Sequence, residues 1–408
     1  MKFFDVVSIE EAIKLTKDNF RDYRFQLEEV HILKSIDRVV GEDIHSNIDV
    51  PEFNRSTVDG YGINIIDSHG ATDSIPSILN ILGQVKMGEE TKYSIKSGDT
   101  VYIPTGGMIP KGVDGVVMIE NTEKLDQDSL LIYKPISQGE NIISQGDDIK
   151  KNSLIIREGR KITPEVMGVL AALGMEKVKV YKQPKFYIIS TGDEIIDIDE
   201  ELNLGKVRDI NSYGLYGLVK KIGGQVVGKS IIKDHYESLR AEVDKALDIS
   251  DIVLISGGSS VGTRDYTYKV IDSFNEEGVF VHGLSIKPGK PTIIGKGKDK
   301  PIFGLPGHPV SSIIVFKAII EPFINEKLSI NTIKPKINAI IDFNFPSSPG
   351  KTTYQMVKLV DKEGVFFASP SFGKSGMISL LSESQGYIIL EPKEEGVYKG
   401  EEREVYLL

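Results

Sequence analysis

The sequence predicts a multidomain fold of the α/β plus β class, with a β-rich module, a central, mainly parallel α/β domain, and a terminal β-barrel or sandwich. Three observations carry this. Over residues 185–324, apolar strand-like runs alternate with helical patterns, as in a parallel sheet covered by helices on both faces. Between Pro76 and Lys134, and again after Pro335, short β-type runs replace the helical period. At 408 residues the chain exceeds one ordinary core, and roughly 150 residues per domain gives two to four domains.

Taken in order, Ser8 and Glu11 form a capping box ahead of Ala12, Ile13 and Leu15, which predicts a short amphipathic helix. The runs 79–82, 100–103, 116–119 and 130–133, separated by Gly, Pro and charged turns, make the β-rich module. Thr163 can cap a helix that has Pro164 in its first turn, Val166, Val169, Leu170 and Leu173 on one face, and Gly174 at its end. In the α/β segment the strands are 186–189, 226–232, 252–255, 292–294 and 302–305, and the helices are 237–247, 266–274 and 310–324. Asn211 or Ser212 can cap a further helix, whose Leu215, Leu218, Val219 and Ile222 share a face before Gly223 and Gly224 stop it. The terminal runs are 337–341, 354–360, 386–390 and 404–407.

Composition excludes several kinds of chemistry. Lys plus Arg number 49 against 59 Asp plus Glu, a formal charge of −10, which argues against a nucleic-acid or anionic-membrane surface and leaves room only for local basic pockets. With no cysteine there is no disulfide framework, thiolate nucleophile or Cys-ligated metal, and the six histidines form no HExxH-like motif. Met1–Phe20 is studded with charges and lacks the apolar core of a signal peptide, and no run of about 18 apolar residues occurs. The expectation is a cytoplasmic protein.

The chemistry gathers in four polar turns: 190–194 (Ser-Thr-Gly-Asp-Glu), 256–262 (Ser-Gly-Gly-Ser-Ser-Val-Gly), 287–291 (Lys-Pro-Gly-Lys-Pro) and 305–309 (Leu-Pro-Gly-His-Pro). Each follows an apolar run, so they are expected along one edge of an open α/β sheet, where such folds bind ligands. The glycines of 256–262 permit close backbone approach to a phosphate, and Lys287 and Lys290 can aim two ammonium groups at oxyanion oxygens. Alone, the first is equally a tight turn and the second a pair of solvated lysines. Carboxylates share these turns: Asp193 and Glu194, then Asp234, then Asp265. Beside an anionic ligand each would repel it by about 4 kcal/mol at 4 Å and an effective dielectric near 20. Mg²⁺ bridging carboxylate and phosphate oxygens resolves the conflict, and an oxygen-only donor set favours it. Residues 54–62, 105–107, and 139–141 with 146–148 are three further polar segments of the same character.

In this order the motifs resemble the molybdopterin molybdenumtransferases, the MoeA-type enzymes that include the C-terminal part of gephyrin. The resembling segments are 55–61, 105–106, 146–148, 191–194, 257–262 and 265–266, followed by the two proline turns, and they span nearly the whole chain. The resemblance implies four domains: a discontinuous N-terminal dimerisation domain over 1–50 and 141–183, an inserted β-rich domain over 51–140, a molybdopterin-binding α/β domain over 184–331, and a β-barrel over 332–408. It implies an elongated homodimer whose clefts are shared between subunits. It also implies Mg-dependent insertion of molybdate into adenylylated molybdopterin with release of AMP. An enzyme supplying the adenylylated pterin and molybdoenzyme apoproteins are the implied partners.

Carried over by position, Asp59, Asp148, Glu194, Asp234 and Asp265 are the implied catalytic residues, with Asp59, Asp234 and Asp265 on the metal. Thr105, Thr191, Gly192, Gly257, Gly258, Ser259, Ser260, Gly262, Lys287, Lys290, Pro306, Pro309 and Ser375 are the implied ligand-binding set. Two positions depart from the family pattern: His308 stands where Asn is common, and Met356 aligns with an oxyanion-contacting Arg of some members. The oxyanion pocket is therefore expected to use Lys287, Lys290 and Ser375, with Lys374 or His308, for molybdate or, in a specialised paralogue, tungstate. An adenylyltransferase-like nucleotide-processing enzyme and a gephyrin-like non-catalytic scaffold are the competing readings.

Overall fold

The computed structural model of the chain describes residues 6–257, 266–274, 278–331 and 334–408, which fall into two compact units. The smaller comprises Glu42–Arg157 and Pro164–Lys177. Its centre is a six-stranded sheet in the spatial order Gly115–Met118, Gly60–Ile63, Asp99–Ile103, Ser77–Gln84, Ser129–Ile132, Thr122–Lys124. All four expected runs are in it. Alternation splits their apolar residues between two buried clusters, one around Tyr61, Leu79, Val117 and Ile132, the other around Val101, Ile103 and Val116. The helix Pro164–Ala172 follows, and Gly174, with φ +70°, stands just beyond its end.

The larger unit comprises Met1–Gly41, Glu158–Thr163 and Val178–Leu408. Its α/β sheet is built from β1 (Lys185–Thr191), β2 (Gln225–Ile232), β3 (Ile252–Ser256), β4 (Val279–His282), β6 (Ile293–Gly297) and β7 (Lys300–Leu305), in the order β2-β1-β3-β7-β6-β4. The intervening β5 (Ile286–Lys287) belongs elsewhere. Strands β2, β1, β3 and β7 are parallel, and only β6 runs against the others. Along β1, Phe186 and Ile188 enter one core while Tyr187 and Ile189 enter the other, which is why the central strands read as unbroken apolar runs. Helices Asn211–Lys221 and Pro309–Val315 cover the first face, and Tyr236–Ile249 and Tyr266–Asp272 cover the second. The N-terminal helix Ile9–Asn19 joins the first core through Ile9 and Ala12, with Ser8 Oγ accepting from the Glu11 N–H at 3.1 Å.

Two sequence expectations fail here. Strict β–α alternation breaks between Val279 and Leu305, because β6 and β7 form a hairpin across the two-residue turn Lys298-Asp299. Both turn residues adopt positive φ, +49° and +61°, the geometry that matches strand twist in a two-residue hairpin. The helix Asn211–Lys221 is capped by neither Asn211 nor Ser212. Instead Asp209 Oδ1 accepts from the Ser212 N–H at 3.0 Å, freeing the Asn211 side chain for other work.

After the helical segment Glu321–Lys327 the chain forms a closed barrel of β8 (Lys336–Ile341), β9 (Thr352–Lys362), β10 (Val365–Pro370), β11 (Gly386–Leu390) and β12 (Glu402–Leu407), with a short helix, Ser379–Glu383, between β10 and β11. Its ring order is β9-β10-β8-β12-β11, and β11 pairs back onto β9. Closure leaves no free edge in the ring, and β5 adds to β9 in parallel, stitching the α/β layer to the barrel. Among the described residues, no helix is long and apolar enough to cross a membrane.

Candidate active site

Strands β1, β3 and β7 are neighbours, with Ser190 opposite Ser256 and Ser256 opposite Leu305, so three of the four polar turns share one sheet edge. Their closeness has a backbone cause. Gly257 adopts φ +107°, and a Cβ there would stand 2.2 Å from the Thr191 carbonyl oxygen, so only glycine lets the turn after β3 nest against the turn after β1. The Gly257 N–H donates to the Leu305 carbonyl at 3.3 Å, tying in the third turn. Thr191 donates its hydroxyl to Asp234 Oδ1 at 3.1 Å, and the Asp234 N–H donates to Asp193 Oδ1 at 3.3 Å. Asp234 therefore belongs to the edge rather than capping the helix Tyr236–Ile249, which has no side-chain cap. Glu194 is exposed beside it.

The fourth turn departs from expectation. Lys287 does not end a strand of the α/β sheet; β5 pairs with the barrel, Ile286 opposite Thr352 and Lys287 opposite Thr353. The Lys287 ammonium donates to Ser348 Oγ at 2.7 Å. The turn nevertheless lines the same cleft as the sheet edge, a cavity of about 1340 Å³ that holds Thr191, Glu194, Asp234, Gly257, Lys287, Lys290, Pro306, Pro309 and Ser375. Ser375 reaches it on a barrel loop. His308 Nδ1 and Ser375 Oγ are hydrogen-bonded at 2.8 Å, and the Val310 N–H donates to the Ser375 carbonyl at 3.2 Å, so this loop seats on the entry to the helix Pro309–Val315. Met356, 3% exposed, lines the cleft while belonging to the apolar core, and its carbonyl accepts from the Ser371 N–H at 2.8 Å.

Charge in the cleft runs against that of the whole chain. Among the described residues lining the cleft, Arg208, Lys287, Lys290, Lys351 and Lys374 face Glu194, Asp209 and Asp234, an excess of cation in a protein of net charge −10. Such a cavity concentrates anions. Among the described residues no three carboxylate or imidazole groups converge to hold a metal. Asp234 and Glu194 line the cleft beside its lysines, and their carboxylate oxygens are of the kind Mg²⁺ accepts.

The remaining predicted residues divide by place. In the smaller unit, Asp59 Oδ1 accepts from the Thr105 N–H at 2.9 Å, and the Gly106 N–H donates to the Ser56 carbonyl at 2.8 Å, so two of the polar loops are zipped together. Asp59 and Thr105 are both exposed. Asp148 is exposed on the neighbouring turn, with its N–H on the Val50 carbonyl at 3.1 Å. Gly258, Ser259, Ser260, Gly262 and Asp265 lie outside the described residues. Sequence reasoning missed Arg208, Asp209 and Asn211, which line the cleft just before the helix Asn211–Lys221. The available signal was Asp209 three residues before Ser212, the spacing of a side-chain cap.

Fold and cleft together define a multidomain α/β protein with a cation-rich cleft between an α/β sheet edge and a β-barrel. Comparison with known proteins narrows the class. Residues 7–174 match the MoeA N-terminal region (domain I and II), 187–326 match a family described as a probable molybdopterin binding domain, and 338–408 match the MoeA C-terminal region (domain IV). The chain is 30% identical to the molybdopterin molybdenumtransferase of Haemophilus influenzae, over 92% of each chain. It is 36% identical to a Methanocaldococcus jannaschii protein named for molybdopterin biosynthesis, over 98% of this chain and 97% of the other. The crystal structure of a MoeA molybdopterin biosynthesis protein from Pyrococcus horikoshii superposes with a TM-score of 0.85 at 36% identity, covering 99% of both chains. The chain belongs to the MoeA family of molybdopterin molybdenumtransferases, enzymes of molybdenum cofactor biosynthesis.

Proposed function

We propose that this enzyme inserts molybdate into adenylylated molybdopterin in a Mg²⁺-dependent reaction that cleaves the phosphoanhydride and releases AMP. The observation that carries this is the cationic cleft itself. At about 1340 Å³ it exceeds the roughly 300–1,000 Å³ of ordinary small-molecule sites, so it accommodates a pterin nucleotide and an oxyanion together. Its cations come from both walls, Arg208 from the α/β side and Lys351 and Lys374 from the barrel, with Lys287 and Lys290 on the segment between.

In this reading the nested turns of β1, β3 and β7 bind the phosphates, with Gly257 allowing their close approach. Lys287 and Lys290 offset charge developing on phosphoryl oxygens as molybdate oxygen, or an activated water, attacks phosphorus and AMP leaves. Asp234, fixed by the Thr191 hydroxyl, would hold Mg²⁺ from the sheet edge, where the ion supplies Lewis-acid neutralisation of phosphate charge. Ser375, positioned by His308, serves the oxyanion end. The proposal includes a homodimer in which Asp59, Thr105 and Asp148, all exposed on the smaller unit, complete the cleft of a second copy. An adenylylating enzyme upstream and apo-molybdoenzymes downstream are the partners this chemistry requires.

The test is AMP release from adenylylated molybdopterin with molybdate or tungstate, with EDTA and after Mg²⁺ is restored. Oxyanion-dependent, EDTA-sensitive release supports the reading, and the ratio between the two oxyanions assigns the native one. Release indifferent to oxyanion defeats it. Light scattering at twice the chain mass, against a monomer, decides the dimer.

A further inference from the structure

The segment Asp209-Ile210-Asn211 touches each of the three nested turns. Ser190, at the end of β1, donates its hydroxyl to Asp209 Oδ2 at 2.9 Å. Asn211 Nδ2 donates to Ser256 Oγ, at the end of β3, at 2.7 Å, and to the Gly307 carbonyl, after β7, also at 2.7 Å. The other oxygen of Asp209 accepts from the Ser212 N–H at 3.0 Å, so the carboxylate is itself fixed by the helix it caps. Asp209, Ser190 and Ser256 are each 3% exposed, which shields these bonds from competing water. The Gly307 carbonyl can only accept, so the amide orientation of Asn211 is determined. Among the described residues that orientation leaves the buried Asn211 Oδ1 without a hydrogen-bond partner.

We infer that Asp209 and Asn211 are positioning residues that clamp the three ligand-binding turns into one surface. This rests on the proposed phosphate-binding role of those turns, and it adds a specific device: one segment sets the spacing between the chain after β1, after β3 and after β7. Gly257, where the turns after β1 and β3 nest, sits between two of the clamped points, Ser256 and Gly307. Without the clamp, the turns keep their strands but lose their mutual register.

The decisive variants are isosteric. Asn211→Asp keeps the shape but places an acceptor against the Gly307 carbonyl. Asp209→Asn keeps an acceptor for the Ser212 N–H and a partner for the Ser190 hydroxyl, which can accept as well as donate. With the full-length enzyme, Asn211→Asp and Asn211→Ala should raise KM for adenylylated molybdopterin, and Kd for AMP, tenfold or more, with a smaller change in kcat. Asp209→Asn should remain within threefold of wild type where Asp209→Ala does not. Asn211→Ala combined with Ser256→Ala should be markedly less harmful than the two effects added, as contacting partners require. Hydrogen exchange supplies a readout independent of turnover: Asn211→Ala should speed exchange of the Gly257 amide while leaving amides in the barrel unchanged. Unchanged KM and Kd with only a lowered Tm, additive double-mutant behaviour, or an unaltered Gly257 amide each overturn the clamp. If wild-type enzyme releases no AMP, the proposed reaction fails, and the exchange result alone then decides the clamp.

Discussion

Gly257→Ala is the sharpest single perturbation of the sheet edge. The new methyl would sit 2.2 Å from the Thr191 carbonyl oxygen, well inside the 3.0 Å that real Cβ contacts respect, so the two turns must part by roughly 1 Å. Because β2 flanks β1 and β7 flanks β3, separation of that size drives Thr191 against Asp234 and Gly257 against Leu305, spoiling the geometry of the 3.3 Å Gly257 to Leu305 hydrogen bond. Alanine also pays for φ +107°, a conformation that costs on the order of 1–3 kcal/mol for a residue with a side chain. Adding about 1 kcal/mol for the lost bond gives ~2–4 kcal/mol. If the cost falls on the folded state, it appears as a lower melting temperature of the larger unit. If it falls on the ligand-bound arrangement, kcat/KM for AMP release drops by about 30-fold to 1,000-fold, tenfold per 1.4 kcal/mol. Calorimetry and steady-state kinetics on the same preparation separate the two. An alanine variant with wild-type Tm and wild-type kcat/KM would show that the two turns do not need their close approach.

Three further outcomes follow from the structure. His308→Asn shortens the side chain that meets Ser375 Oγ, so the KM for the oxyanion should rise several-fold while AMP affinity is unchanged; equal oxyanion KM and equal molybdate-to-tungstate selectivity would remove His308 from the site. Asp197 is held down to about 2 by hydrogen bonds from the Lys229 ammonium and Tyr213 hydroxyl, and from the Ile198 N–H. Because its folded value lies below its unfolded one, its contribution is present above pH ~4 and lost as pH falls toward 2, so Asp197→Asn should flatten Tm between pH 4 and 2; parallel curves would refute this. Lys317 is 7% exposed on the π-turn Phe316–Ile320, and burial lowers its pKa, so Lys317→Met should leave Tm equal or higher at pH 7; a fall would show that its charge is usefully paired.

The sequence made the strands of the α/β sheet legible because burial on two faces writes unbroken apolar runs, such as 186–189 and 252–255. It also marked the turns, since glycine at positive φ and proline at a helix entry have few substitutes. What it hid was connectivity. Val365–Pro370 escaped notice because its short run ends in Ser-Pro, although Glu363-Gly364, both at positive φ, is the turn that pairs it with Thr352–Lys362. Asn211 was misassigned for a related reason: an Asn at a helix start reads as a cap from local spacing, whereas its amide bonds to residues 45 and 96 positions away. Local propensity names the residue type at such a place, and only tertiary contact says which donor it serves.

The barrel enters the chemistry through two unequal attachments. One is covalent in origin: β5 leaves the α/β layer after β4, pairs with β9, and returns to β6, so Lys287 and Lys290 sit on a segment shared by both bodies. The other is a single loop contact, Ser375 on His308 and on the Val310 N–H. The lysines move with the β5–β9 pairing, whereas Ser375 depends on one side-chain hydrogen bond and one backbone bond. Substitution at the loop contact should therefore alter oxyanion handling without disturbing phosphate binding, while disruption of β5 would damage both. The departure from family pattern at His308 falls in that loop contact, where a chain can change its oxyanion pocket and still keep the phosphate edge that Gly257, Thr191 and Asp234 define, whereas Met356 lies on β9 itself.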